Sequence, residues 1–236
     1  MDPRPVAGRL AAVRERIAVA CGRAGRDPAS VVLVAVTKQV PLPLVAAAVR
    51  AGAADLGENR VFDALARQDE LARLLVAEGY DPGGLRWHFI GHLQRNKVAR
   101  ASGRFALLHG VDSAELAALL SARAAAAGVR QAVLLEVNLG EAQKQGLAPQ
   151  ALPTLVDGVA ALPGLDLCGL MGMAPWGADQ AQARRLFGGL RELAVRERER
   201  TGLALPELSM GMSGDYEAAV LEGATIVRVG SAIFAP

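Results

Sequence analysis

The sequence predicts an α/β fold, a single (β/α)8 barrel. Short apolar, β-branched runs alternate with helical stretches from residue 31 onward. Strands separated by helices pair in parallel through right-handed crossovers. Eight strands and seven intervening helices can be traced after one leading helix, in a length that suits such a barrel. No strand is followed by a G-x-G-x-x-G turn, which disfavours the alternative, a doubly wound open sheet.

In the leading helix Val6, Leu10, Val13, Ile17 and Cys21 recur every three or four residues, with Arg9, Arg14, Glu15 and Arg16 between them. The stretch GRDPAS stops it. Strands are expected at 31–38, 54–59, 85–92, 105–113, 131–138, 165–173, 207–213 and 225–234. Helices are expected at 41–52, with prolines at the start and Gly52 at the stop, and at 60–78. Others follow up to about 101, then at 114–127, 148–161, 179–200 and 214–223. The eighth strand has no helix after it, so the leading helix is expected to take that place in the outer ring. Nothing resembling a linker or repeat interrupts the chain, so 1–236 reads as one domain.

Composition excludes several classes of function. Basic residues number 26 and acidic ones 24, a net charge of +2, so neither nucleic acid nor an anionic membrane is expected as a partner. Hydrophobic residues at 52% against 21% charged argue for a globular chain. The longest charge-free runs, 145–156 and 167–178, fall short of the roughly twenty residues a spanning helix needs. The start, MDPRPVAGRLAAVRER, lacks an apolar signal core. Cys21 and Cys168 make no disulfide framework, and His88, His92 and His109 have no metal-ligand spacing. A soluble cytoplasmic protein without a metal is expected. Lysines occur only at 38, 97 and 144, so any amine chemistry has three side chains to use.

In such a barrel the active face is the C-terminal end of the strands. Lys38 ends a strand; with Val34 and Val36 it shares one face. Either it sits desolvated and nucleophilic at the barrel mouth, or it leaves the strand for solvent. Ser209-Met-Gly-Met-Ser213 leads into a helix, and Gly230-Ser231 follows the last strand. Together they form a candidate anion site, with Ser213 as a helix cap; the bland alternative is a cap and a tight bend only. Arg228 shares parity with Ile226 and Gly230 and so points inward, where Glu136 is a candidate ion-pair partner. Cys168, Trp87 and Trp176 read as packing residues, and 191–200 as a solvated helix face.

Several segments together resemble the pyridoxal-phosphate homeostasis protein family (YggS/PROSC type), which has the fold of the alanine racemase N-terminal domain (fold type III among PLP proteins). They are VAVTK (34–38), LGENRV (56–61), WHFIGHLQRNK (87–97), VDS (111–113), VNLGEAQKQG (138–146), GLMGMAP (169–175) and LSMGMSGDYEAAVLEGATIVRVGSAIF (208–234). The resemblance implies pyridoxal 5'-phosphate (PLP) held as a Schiff base on Lys38. It implies phosphate held by the turn from Met210 to Ser213 and by Gly230 and Ser231, Asn59 near the ring, and Arg228 at the pyridine nitrogen. Small departures are Ser231 for a usual threonine, Gln143 for a usual serine, and Gly172, read as enlarging a loop where alanine is common.

A cation at the pyridine nitrogen disfavours its protonation and weakens PLP as an electron sink. Related racemases add two opposed bases, one a tyrosine from a second domain. This sequence shows no such domain; Tyr80 is expected at the wrong end of the barrel, and Tyr216 supplies at most one face. A monomeric PLP carrier and regulator, exchanging PLP with apoenzymes and free amino acids, is therefore expected, with no catalytic residue assigned. A weakly active amino-acid racemase is the alternative, and a Schiff-base aldolase acting on a phosphorylated sugar ranks third. Lys97 and Lys144 are either transient PLP acceptors or ordinary surface amines.

Overall fold

The alternation seen in the sequence closes into a ring in a computed structural model, which describes residues 4–140 and 145–235. Helix α1 (Arg4–Arg23) leads into β1 (Val32–Val36), α2 (Leu42–Arg50), β2 (Asp55–Glu58), α3 (Val61–Ala77) and β3 (Arg86–Phe89). There follow α4 (Val98–Ala101), β4 (Leu107–Val111), α5 (Ala114–Ala126), β5 (Gln131–Asn138), α6 (Leu152–Ala160) and β6 (Leu165–Met173). The chain continues through α7 (Gln180–Thr201), β7 (Glu207–Ser209), α8 (Tyr216–Leu221), β8 (Ile226–Val229) and α9 (Ser231–Phe234). Each strand pairs in parallel with the next, and β8 pairs with β1. Among the described residues no helix is long and apolar enough to cross a membrane.

Strand alternation divides the buried residues into two layers. Outward side chains such as Ala35, Leu56, Phe89, Leu108 and Leu135 meet the helices in one continuous shell. Inside the barrel a small apolar cluster, Val34, Leu107, Leu134, Met171 and Ile226, shares the space with buried polar groups. Asp55, His88, His109, Glu136, Ser209 and Arg228 all have the inward parity of their strands.

Helix α1 takes the place in the outer ring that a full-length helix after β8 would hold. Val6, Leu10, Val13, Ile17 and Cys21 are buried, and the helix packs against α2, α8 and α9. Arg14 donates to the carbonyls of Ala51 and Gly52 at 3.0 and 2.6 Å, satisfying groups at the end of α2. Arg9 reaches the Ile233 carbonyl at 2.7 Å and ties down α9.

Three expectations change. The last strand stops at Val229, and residues 231–234 form a short helix. β7 is three residues long, and a positive φ of 91° at Gly211 turns the chain away. Gly172 lies within β6 and not in a loop; a methyl there would come within 2.7 Å of Leu139, so no space is gained.

Candidate functional site

The C-terminal ends of the strands surround a pocket of about 1330 Å³. Its lining includes Lys38, Asn59, Ser213, Arg228, Gly230 and Ser231, six of the seven residues singled out from the sequence. Met210 is different. It is fully buried in the outer core and does not line the pocket, whereas Met212 does.

Lys38 follows β1 by two residues and is exposed, which fits, of the two readings open from the sequence, the one in which it leaves the strand for solvent. Its turn is nonetheless fixed. Arg67 on α3 donates from Nη2 to the carbonyls of Thr37 and Val40, at 3.0 and 2.6 Å, on either side of Lys38. Arg67 Nε and Thr37 Oγ1 both donate to Glu58 Oε1, at 3.0 and 2.6 Å. Burial raises the Glu58 carboxyl above its ordinary value, against the pull of Thr37 and Arg67. Within the turn Gln39 has φ of 61°, a left-handed conformation that the surrounding bonds must hold in place. Glu58 is read from the sequence at the end of its strand, but its partner Arg67 is not legible, because Arg67 meets Glu58 and the Thr37 and Val40 carbonyls only when the barrel closes.

Asn59 follows β2 and sits against Gly91. A Cβ at Gly91 would fall 2.5 Å from the Asn59 carbonyl oxygen and 2.9 Å from its Cα, so only glycine allows this approach. On the opposite side Ser213 does not cap α8; Asp215 occupies the cap position and accepts from the Met212 N–H at 2.5 Å. Ser213 Oγ instead accepts from the N–H groups of Gly230 and Ala232, at 3.2 and 3.3 Å. Two backbone donors thus converge on one oxygen beside Ser231.

Arg228 forms part of the pocket floor and is 3% exposed. It donates to Ser209 Oγ at 2.5 Å and to the Gly172 carbonyl at 3.3 Å. The expected contact pair with Glu136 is absent: no carboxylate of a described residue lies within salt-bridge distance of Arg228. Burial lowers the guanidinium pKa to about 10, while Glu136 and Asp215 act through space to support its charge. Glu136, also in the lining, is pushed up to about 7 by burial and by Asp112, with Arg228 opposing.

Trp176, read as a packing residue, is 94% exposed on the pocket rim. Lys97 lines the pocket, with its ammonium 4.3 Å from the centre of the Phe62 ring. Lys144 and Gln143 lie outside the described residues. Tyr216 is buried in the outer shell and does not reach the pocket, and Tyr80 is on the surface.

A parallel barrel with a lysine after its first strand and a serine-glycine cradle after its last two defines a class. Residues 9–236 match the family described as alanine racemase, N-terminal domain. The chain is 44% identical over 230 residues to the pyridoxal phosphate homeostasis protein of Pseudomonas aeruginosa, covering 97% of this chain and 94% of that protein. It is 40% identical over 227 residues to the protein of the same name from Aquifex aeolicus, covering 96% of each. Among solved structures, PipY of Synechococcus elongatus with PLP bound superposes with a TM-score of 0.83 at 36% identity, covering 97% of this chain and 99% of that one. The chain belongs to the pyridoxal phosphate homeostasis protein family.

Proposed function

We propose that the pocket binds pyridoxal 5'-phosphate and that the chain serves cytoplasmic PLP homeostasis as a carrier. The observation that carries this reading is one pocket holding a primary amine, the Ser213 and Ser231 hydroxyls and a buried cation in its floor. The donor set suits the group. Lys38 offers the amine, the Ser213 and Ser231 hydroxyls offer neutral donors for a phosphate, and the open space around the Gly214 α-carbon leaves the turn accessible. In this reading Arg228 would partner the ring nitrogen and Asn59 would stand near the ring. When bound, PLP supplies an aldehyde that condenses reversibly with an amine and releases one water. An exposed Lys38 at an open mouth favours exchange of that amine with free amino acids and with the lysines of apoenzymes. A carrier is favoured over a racemase because neither tyrosine lines the pocket, and because a guanidinium at the ring nitrogen opposes its protonation.

A visible absorption spectrum of the purified protein, wild type beside Lys38→Ala, tests the site. A yellow band present in the wild type and lost in the variant is expected. A wild type that stays colourless after addition of PLP overturns the assignment.

A further inference from the structure

The pocket floor continues into a buried chain of polar side chains that crosses the barrel. Beyond the bond from Arg228 to Ser209, Ser209 Oγ lies 2.8 Å from His109 Nδ1. His109 Nε2 is 3.0 Å from His88 Nδ1, and His88 Nε2 is 2.9 Å from Asp55 Oδ1. Arg86 closes the far end, with Nε and Nη2 on the two Asp55 oxygens at 2.7 and 2.5 Å. From Asp55 to Arg228 every member is buried.

One placement of hydrogens uses every donor and acceptor. A guanidinium only donates, so Ser209 Oγ accepts from Arg228 and sends its own hydrogen to His109 Nδ1. Burial pushes His109 well below the ordinary histidine pKa, and His88 and then Arg228 add to this, so the ring is neutral. Its single hydrogen then sits on Nε2 and points to His88 Nδ1. His88 in turn carries its hydrogen on Nε2, toward a carboxylate that only accepts. In the reverse arrangement His109 would donate to Ser209, leaving a buried hydroxyl hydrogen without an acceptor, which is unfavourable.

We infer that Ser209, His109 and His88 are positioning residues that hold Arg228 from behind, as a one-way relay anchored on Asp55. Bonds aligned in one sense polarise one another, so Ser209 Oγ becomes a stronger acceptor for the guanidinium. This supports a buried cation that has no carboxylate of a described residue in contact. With Nη1 held by Ser209 and Nη2 by Gly172, the face that Arg228 turns to the pocket is set from the interior. The consequence for the ligand rests on the PLP reading given above; the relay itself does not.

Nitrogen-15 NMR of histidine- and arginine-labelled protein without PLP tests the relay directly. The expected result is a neutral His109 with hydrogen on Nε2, His88 accepting from it at Nδ1, and slow rotation of the Arg228 guanidinium. Ser209→Ala should free the guanidinium and abolish the fixed His109 tautomer. His109→Gln, which keeps one donor and one acceptor, should preserve slow rotation. A wild-type His109 carrying hydrogen on Nδ1, or an Arg228 equally slow in Ser209→Ala, overturns the inference. In PLP titrations the loss of a bond to a charged group should weaken binding in Ser209→Ala roughly tenfold, with His109→Gln near wild type. Equal affinity in wild type and Ser209→Ala removes the relay from the site. A wild type that binds no PLP defeats the reading of the pocket, while the NMR result still decides the relay.

Discussion

Single residues at the mouth carry opposite kinds of constraint. Glu136 keeps its proton in the folded chain up to about pH 7, whereas the free carboxyl ionises near 4.5. Between these values the folded state holds a proton that the unfolded state has lost, so stability falls as pH rises through the window. Urea midpoints at pH 5 and pH 8 should show this drop, and Glu136→Gln should lessen it; an unchanged slope rules out Glu136 as its source. Arg67 makes the second case. Arg67→Met leaves Glu58 buried with its charge unpaired and frees the carbonyls beside Lys38. The expected cost is about 1–3 kcal/mol in thermal unfolding, together with weaker PLP uptake. A variant as stable as wild type refutes the role given to Arg67. Strand parity made the inward direction of Arg228 legible in the sequence. Its partner was not legible, because Ser209 lies on the neighbouring strand and the register between strands is set by closure. His88 and His109 were missed for the same reason: their spacing matches no motif, and they meet only across β3 and β4.

At the level of elements, repeating pattern was legible and short terminal runs were not. Five apolar positions on α1 gave its buried face, and a helical strip with no partner has to cover something. It covers the gap beside α8, so Leu10→Ala should cost about 3 kcal/mol, near that of a fully buried leucine elsewhere. A loss below about 1 kcal/mol in chemical denaturation places α1 outside the cooperative core. The run SAIF after β8 looked like continued strand because so short a stretch, apolar from Ala232 to Phe234, fits either period. What decides it is tertiary. The N–H groups of Ile233 and Phe234 both return to the Gly230 carbonyl, and Arg9 holds the Ile233 carbonyl from α1. The same turn places the Gly230 and Ala232 N–H groups on Ser213, so the misread element is also the one that completes the cradle.

Over the whole molecule, barrel closure puts an amine, a cradle and a buried cation into one pocket and leaves the tyrosines elsewhere. Moving a proton onto and off both faces of an amino-acid carbon takes a base on each face and a ring able to accept electrons. Here Tyr216 is committed to the outer shell, and Arg228 would, in the proposed binding mode, oppose protonation of the ring nitrogen. Exchange of one amine for another at Lys38 asks for neither. The PLP-loaded protein incubated with L-alanine should therefore form D-alanine no faster than free PLP does, measured by chiral chromatography. Incubated with a PLP-dependent apoenzyme, it should restore that enzyme's activity while losing its own yellow band. Arg228→Glu separates the two demands. It removes the opposition at the ring nitrogen but supplies no second base, so racemisation should stay at the free-PLP rate even where the variant still takes up PLP. Racemisation by the wild type well above free PLP, without transfer to the apoenzyme, reverses the assignment of carrier over enzyme.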